Sequence, residues 1–114
     1  MMSGVSIEDP DTAYISPDAS IDQDTIIMPN TTIVGKTKIG KNNWLGPNLY
    51  LSNATMGNDN VISYAWVSNI KIGNGNKIEP FSRVSDSELG DNCVIKSYVE
   101  VENAKIEDNS KIGR

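Results

Sequence analysis

The sequence contains no histidine, which removes the one side chain that ordinarily titrates near neutral pH and a principal ligand for zinc. It contains a single cysteine, Cys93, so no disulfide can close within the chain. No apolar run reaches the eighteen residues of a membrane-spanning helix, and no charged-then-apolar leader opens the sequence. A soluble cytoplasmic protein without a membrane partner is the expectation. Basic residues number 10 against 15 acidic ones, and the net charge of −5 argues against nucleic acid. One Phe and four Tyr leave the core to aliphatic residues. At 114 residues there is one domain at most.

What is present is a repeat. Aliphatic residues or Met stand at Ile15, Ile21, Ile27, Ile33, Ile39, Leu45, Leu51, Met56, Ile62, Val67, Ile72, Ile78, Val84, Leu89, Ile95, Val101, Ile106 and Ile112, with every step five or six residues. That period fits neither an amphipathic helix nor a simple alternating strand. It fits a short strand plus a turn, three times per coil, which is a parallel β-helix. Two residues before each ladder position the side chains are mostly small, as at Ala19, Thr25, Thr31, Thr37, Ala54, Ala65, Ser82, Ser87, Cys93, Ala104 and Ser110. Strand alternation turns both sets inward. Leu49, Ile70 and Val99 are larger exceptions, and Cys93 reads as a buried small residue.

Three residues after many ladder positions stand Asp18, Asp24, Asn30, Asn42, Asn48, Asp59, Gly75, Asn92 and Asn109, types that tolerate a left-handed corner. Gly40, Gly46, Gly57, Gly73, Gly90 and Gly113 directly follow the ladder residue and relieve crowding at the bends. Grouped in threes, the ladder gives six coils beginning at Ile15, Ile33, Leu51, Val67, Val84 and Val101. Four of the five shortened steps then open a coil, so they stack on one edge. The expected organisation is an irregular lead-in over 1–14 and the β-helix over 15–114. Coils about 4.8 Å apart make a rod roughly 25–30 Å long.

The residue before each ladder position faces outward. One face carries Ser20, Lys38, Thr55, Lys71, Glu88 and Lys105 and reads as solvated. A second carries Ile26, Trp44, Val61, Lys77, Val94 and Lys111, and the third carries Tyr14, Thr32, Tyr50, Trp66, Arg83 and Glu100. Contiguous apolar columns mark contact surfaces more often than single exposed residues do. Ile26, Trp44, Val61, Val94, Tyr50 and Trp66 are therefore the expected subunit interface.

The ladder resembles the hexapeptide-repeat proteins, whose coils wind as a left-handed parallel β-helix, and the left hand is implied by that resemblance alone. The stretches Gly4-Val5-Ser6-Ile7-Glu8-Asp9-Pro10, Asp24-Thr25-Ile26-Ile27-Met28-Pro29-Asn30, Lys36-Thr37-Lys38-Ile39-Gly40, Leu45-Gly46-Pro47-Asn48 and Tyr98-Val99-Glu100-Val101-Glu102-Asn103 narrow it. They are similar to the carboxy-terminal acetyltransferase domain of the bifunctional bacterial N-acetylglucosamine-1-phosphate uridyltransferase/glucosamine-1-phosphate acetyltransferases. That resemblance implies a homotrimer, acetyl-CoA as cofactor and an amino-sugar phosphate as acceptor.

The departures fall on the chemistry. Where the family carries an Arg-Pro-Gly that helps bind the sugar phosphate, this chain has Val84-Ser85-Asp86-Ser87. Glu102 replaces a family Lys, and Arg114 follows Gly113 where the family has its catalytic His. Asp86, Glu88 and Glu102 lie near where the family substrate would sit, yet read as solvated corner residues. Gly73-Asn74-Gly75-Asn76 opens no helix and is a corner, not a phosphate cradle. No catalytic residue and no metal ligand is assigned, and no cofactor-binding residue is identified. Two readings stand: a non-catalytic or truncated trimeric scaffold or binding module needing no cofactor, and an acetyl-CoA-dependent N-acetyltransferase completed by missing segments or a partner chain.

Overall fold

The computed structural model describes residues 6–7 and 12–113. Every strand pair is parallel, and no helix occurs among the described residues. The pairing reproduces the ladder. Ile15, Ile33, Leu51, Val67, Val84 and Val101 align in one column. Ile21, Ile39, Met56, Ile72, Leu89 and Ile106 align in a second. Ile27, Leu45, Ile62, Ile78, Ile95 and Ile112 form the third. The chain is an all-β solenoid of about six turns, wound left-handed. We call the three faces 1, 2 and 3 in that order.

Sixteen of the eighteen ladder residues are buried, and the two at the ends, Ile15 and Ile112, are half-buried. Neighbouring coils cover each other's apolar face, so a short chain gains a core that a globule of this length would struggle to enclose. The rod measures 37 × 21 × 19 Å. It is longer than the coil spacing alone implies, in part because Ser6–Ile7 pairs with Ile26–Ile27 and adds a seventh strand to face 3. Of the expected lead-in, residues 1–5 and 8–11 lie outside the described residues.

The shortened corner has a structural meaning. Strands Trp66–Ile72 and Arg83–Leu89 run from face 1 to face 2 without a break, joining the two faces into one ten-stranded path. One residue fewer leaves no room for a separate turn. A left-handed residue turns the chain instead: Gly35, Asn53, Asn69, Asp86 and Asn103 stack there, the last four with φ of 49–52°. Asp18 was expected to be left-handed and is not. In its coil Ser16 accepts the Ala19 N–H, closing a turn around Pro17.

The corner from face 2 to face 3 is held from both sides. Outside, each coil's Asn or Asp oxygen accepts a backbone N–H of the coil before it, from Lys41 to Asn58, Asn58 to Asn74, Asn74 to Asp91 and Asp91 to Asp108, at 2.7–2.8 Å. A Cβ at Gly40, Gly57, Gly73 or Gly90 would collide with those same oxygens. Glycine is needed there for close approach, not for its φ. Inside, Asn43, Asn60 and Asn76 form a buried amide ladder, which the small-residue pattern did not anticipate. Asn60 Nδ2 donates to Asn43 Oδ1 and to the Gly73 carbonyl, both at 3.0 Å, and Asn60 Oδ1 accepts the Asn76 N–H at 2.8 Å. Asn76 Oδ1 accepts the Cys93 N–H at 2.7 Å. Buried amides are tolerated because their polar atoms are paired.

Candidate functional site

The remaining corner, from face 3 to face 1, is built differently. Its left-handed residues are Asn30, Asn48, Tyr64, Phe81 and Tyr98, the aromatics with φ of 51, 67 and 62°. Left-handed backbone suits Asn, Asp and Gly, whereas a bulky side chain there is an outlier costing on the order of 1–3 kcal/mol. The rings recover part of that by stacking. Tyr64 and Phe81 have centroids 5.9 Å apart, and Phe81 and Tyr98 lie 5.3 Å apart with planes at 19°. Two such contacts contribute about 0.5–1.5 kcal/mol each. That does not offset three strained residues, and all three side chains stand exposed.

The faces flanking this corner carry the expected interface. On face 3, Ile26, Trp44, Val61, Lys77, Val94 and Lys111 are in register. On face 1, Tyr50 stacks on Trp66 at 5.5 Å with planes at 8°, and the Arg83 guanidinium covers the indole at 4.6 Å. Ile26 and Val94 are half-buried. The exposed large apolar residues, at 36–79% accessibility, are Tyr14, Trp44, Tyr50, Val61, Tyr64, Trp66, Phe81 and Tyr98. All eight of these described residues lie on face 1, on face 3 or on the corner between them, and among the described residues face 2 has none.

Tyr64, Phe81 and Tyr98 were missed from sequence. Like Asn30 and Asn48 they stand three residues before a face 1 ladder position, but aromatic side chains were not among the types sought at corners. Their even spacing of seventeen residues was the available signal.

The carboxylates considered for chemistry are only partly gathered. Asp86 and Glu88 line one shallow depression with Lys71, while Glu102 lies off it at the end of strand Glu100–Glu102. Asp86 is a left-handed corner residue whose carboxylate accepts the Asn69 amide at 3.0 Å, and Glu88 sits in register with Lys71 and Lys105. Among the described residues no group of three or more Cys, Asp or Glu is placed to hold a metal ion. Cys93 is free and fully buried, donating to the Glu107 carbonyl at 3.1 Å. Gly73 to Asn76 belongs to the polar corner and its amide ladder, not to a ligand site. No described helix is long and apolar enough to cross a membrane.

The family described as the GMPPB C-terminal domain matches residues 10–114. The chain belongs to that family. It is also 38% identical over 112 residues to the bifunctional protein GlmU of Halalkalibacterium halodurans, covering 97% of this chain and 25% of that protein. GlmU of Clostridioides difficile is likewise 38% identical, over 97% of this chain and 24% of its own length. The matched stretch is the GlmU carboxy-terminal region. The chain thus spans about a quarter of the length of the curated relatives it matches. Among solved structures, the acetyltransferase domain of PglB from Neisseria gonorrhoeae, in complex with acetyl coenzyme A, superposes with a TM-score of 0.55 at 12% identity. The overlap covers 95% of this chain and 53% of that one, and it speaks to fold alone.

Proposed function

We propose that this GMPPB C-terminal-type β-helix is a non-catalytic scaffold or binding module that assembles as a cytoplasmic homotrimer through faces 1 and 3. The observation that carries the reading is the segregation of exposed large apolar side chains onto two adjacent faces and their shared corner. A free monomer would leave that surface in water, and burying it is favourable by about 25 cal/mol per Å². The sequence adds a second support: with no histidine, the chain does not itself supply the base that hexapeptide acyltransferases use. In this reading no cofactor is required.

The acetyltransferase reading is favoured by the GlmU relatives. It takes acetyl-CoA and an amino-sugar phosphate as substrates and draws its base and phosphate-binding cations from outside these residues. One measurement tests the assembly and a second separates the two readings. Light scattering of the parent chain should give a mass of three chains, and Trp44→Lys combined with Trp66→Glu should reduce it. A coenzyme A release assay with acetyl-CoA and glucosamine-1-phosphate should show no turnover above background. Turnover would hand the function to the second reading, and a monomeric parent at high micromolar concentration would remove the assembly.

A further inference from the structure

We propose that the Tyr64–Phe81–Tyr98 corner of one copy seats against face 3 of the next copy, which makes the subunit contact corner-on-face. The inference rests on the trimeric reading above and names what meets what within it.

Symmetry supplies the first step. In a closed threefold ring with parallel rods, each copy is its neighbour turned by a third of a revolution. The outward normals of a three-faced rod are also a third of a revolution apart. The feature brought opposite any face is therefore a corner, one of the two that border that face. Face-on-face contact is not available to such a ring. The corner between faces 3 and 1 borders both apolar faces, so it can abut either.

Chemistry chooses between them. On face 1 the Trp66 indole, though exposed, already has partners, stacked on Tyr50 and covered on one side by Arg83. On face 3, Trp44 and Val61 are exposed, and no aromatic or cation contact to Trp44 occurs among the described residues. Pure rotation adds no shift along the rod, so each coil meets its own level in the neighbour. Tyr64 then comes opposite Val61, Tyr98 opposite Val94, and Phe81 opposite Lys77. Lys77, one of the two basic residues of the column, is met by an aromatic ring, against which its stem packs and its ammonium is attracted.

Charge disfavours the simplest competitor. A parallel twofold pair apposes each face to its own copy, setting Lys77 on Lys77 and Lys111 on Lys111 across face 3, or Arg83 on Arg83 and Glu100 on Glu100 across face 1. The threefold contact avoids every one of these pairings. Area agrees as well. From the extents of 37 × 21 × 19 Å, a face offers on the order of 700 Å², close to the ~800 Å² per partner of a standard specific interface.

The test uses two variants of the full chain that each add one cysteine to the buried native Cys93, Tyr98→Cys and Val94→Cys. Co-refolded and oxidised, the mixture should give a covalent two-chain product that neither variant gives alone. In parallel, Tyr64→Asn, Phe81→Asn and Tyr98→Asn together install the residue found at Asn30 and Asn48. They should abolish the three-chain mass while leaving the folded β signal in circular dichroism at its parent level. A trimeric parent in which Val94→Cys cross-links with itself, or in which the triple variant keeps the three-chain mass, overturns the corner-on-face contact and leaves the trimer standing. A parent of one or two chains overturns the trimer itself.

Discussion

Two corners of this rod repeat the same left-handed turn with opposite chemistry. Between faces 2 and 3 the turning residues are Asp24, Asn42, Asp59, Gly75, Asn92 and Asn109, all suited to the backbone. Between faces 3 and 1 the series begins the same way, with Asn30 and Asn48, and then changes to Tyr64, Phe81 and Tyr98. The first corner is fastened by side-chain oxygens outside and by the Asn43–Asn60–Asn76 amides inside. Behind the second lie Leu49, Ala65, Ser82 and Val99, which form no such ladder. One corner is built to be stable by itself. The other keeps strained aromatics at its surface, where the proposed subunit contact would cover them.

The largest expected effect comes from unfastening the polar corner. Asn60→Ala removes the donor to Asn43 and Gly73 and the acceptor for the Asn76 N–H. Leaving those buried groups unpaired should lower the unfolding free energy by about 2–4 kcal/mol in a denaturant titration. An intermediate effect comes from exchanging the two chemistries. Asp59→Tyr should destabilise by about 1–2 kcal/mol with no change in assembly, because an aromatic there carries the left-handed cost without a neighbouring ring. Tyr64→Asn should do the reverse, gaining about 1 kcal/mol under conditions where the chains are dissociated. Equal responses at the two corners would erase the contrast between them.

The smallest expected effect sharpens the amide ladder. At Cys93 the sequence departs from Asn, and the thiol takes the Glu107 carbonyl that an amide would take. Cys93→Asn should restore that rung, with its oxygen accepting the Ser110 N–H, and gain about 0.5–1 kcal/mol in the same titration. A loss of stability would show instead that the last coils do not accept the ladder's geometry.

The aliphatic ladder, the grouping into six coils and the stacking of the shortened corner were all legible in the sequence. A six-residue period writes the register directly, since the five-residue steps from Val67 to Ile72 and from Val84 to Leu89 fix which corner is tight. Asn60 and Phe81 were not legible, for opposite reasons. Asn60 occupies an inward slot where a small residue was expected, and only the carbonyls of adjacent coils explain a buried amide there. Phe81 occupies a slot where intrinsic backbone preference calls for Asn or Gly, so a reading from local propensity passes over it. Each has its partners one coil away, the Asn43 and Asn76 groups for Asn60 and the Tyr64 and Tyr98 rings for Phe81, which spacing along the chain does not record.

The one-coil reach of these contacts also gives the molecule a unit of length. Successive partners on face 1 lie 18, 18, 16, 17 and 17 residues apart, from Ile15 through Val101. Excising the seventeen residues from Val67 to Arg83 would pass Trp66 directly to Val84 and leave every column with a like residue type above and below. Removing ten would set corner residues against core residues along the remaining rod. Insertions and deletions are therefore admitted in whole coils, and the rod's length can change without rewriting the pattern of its faces.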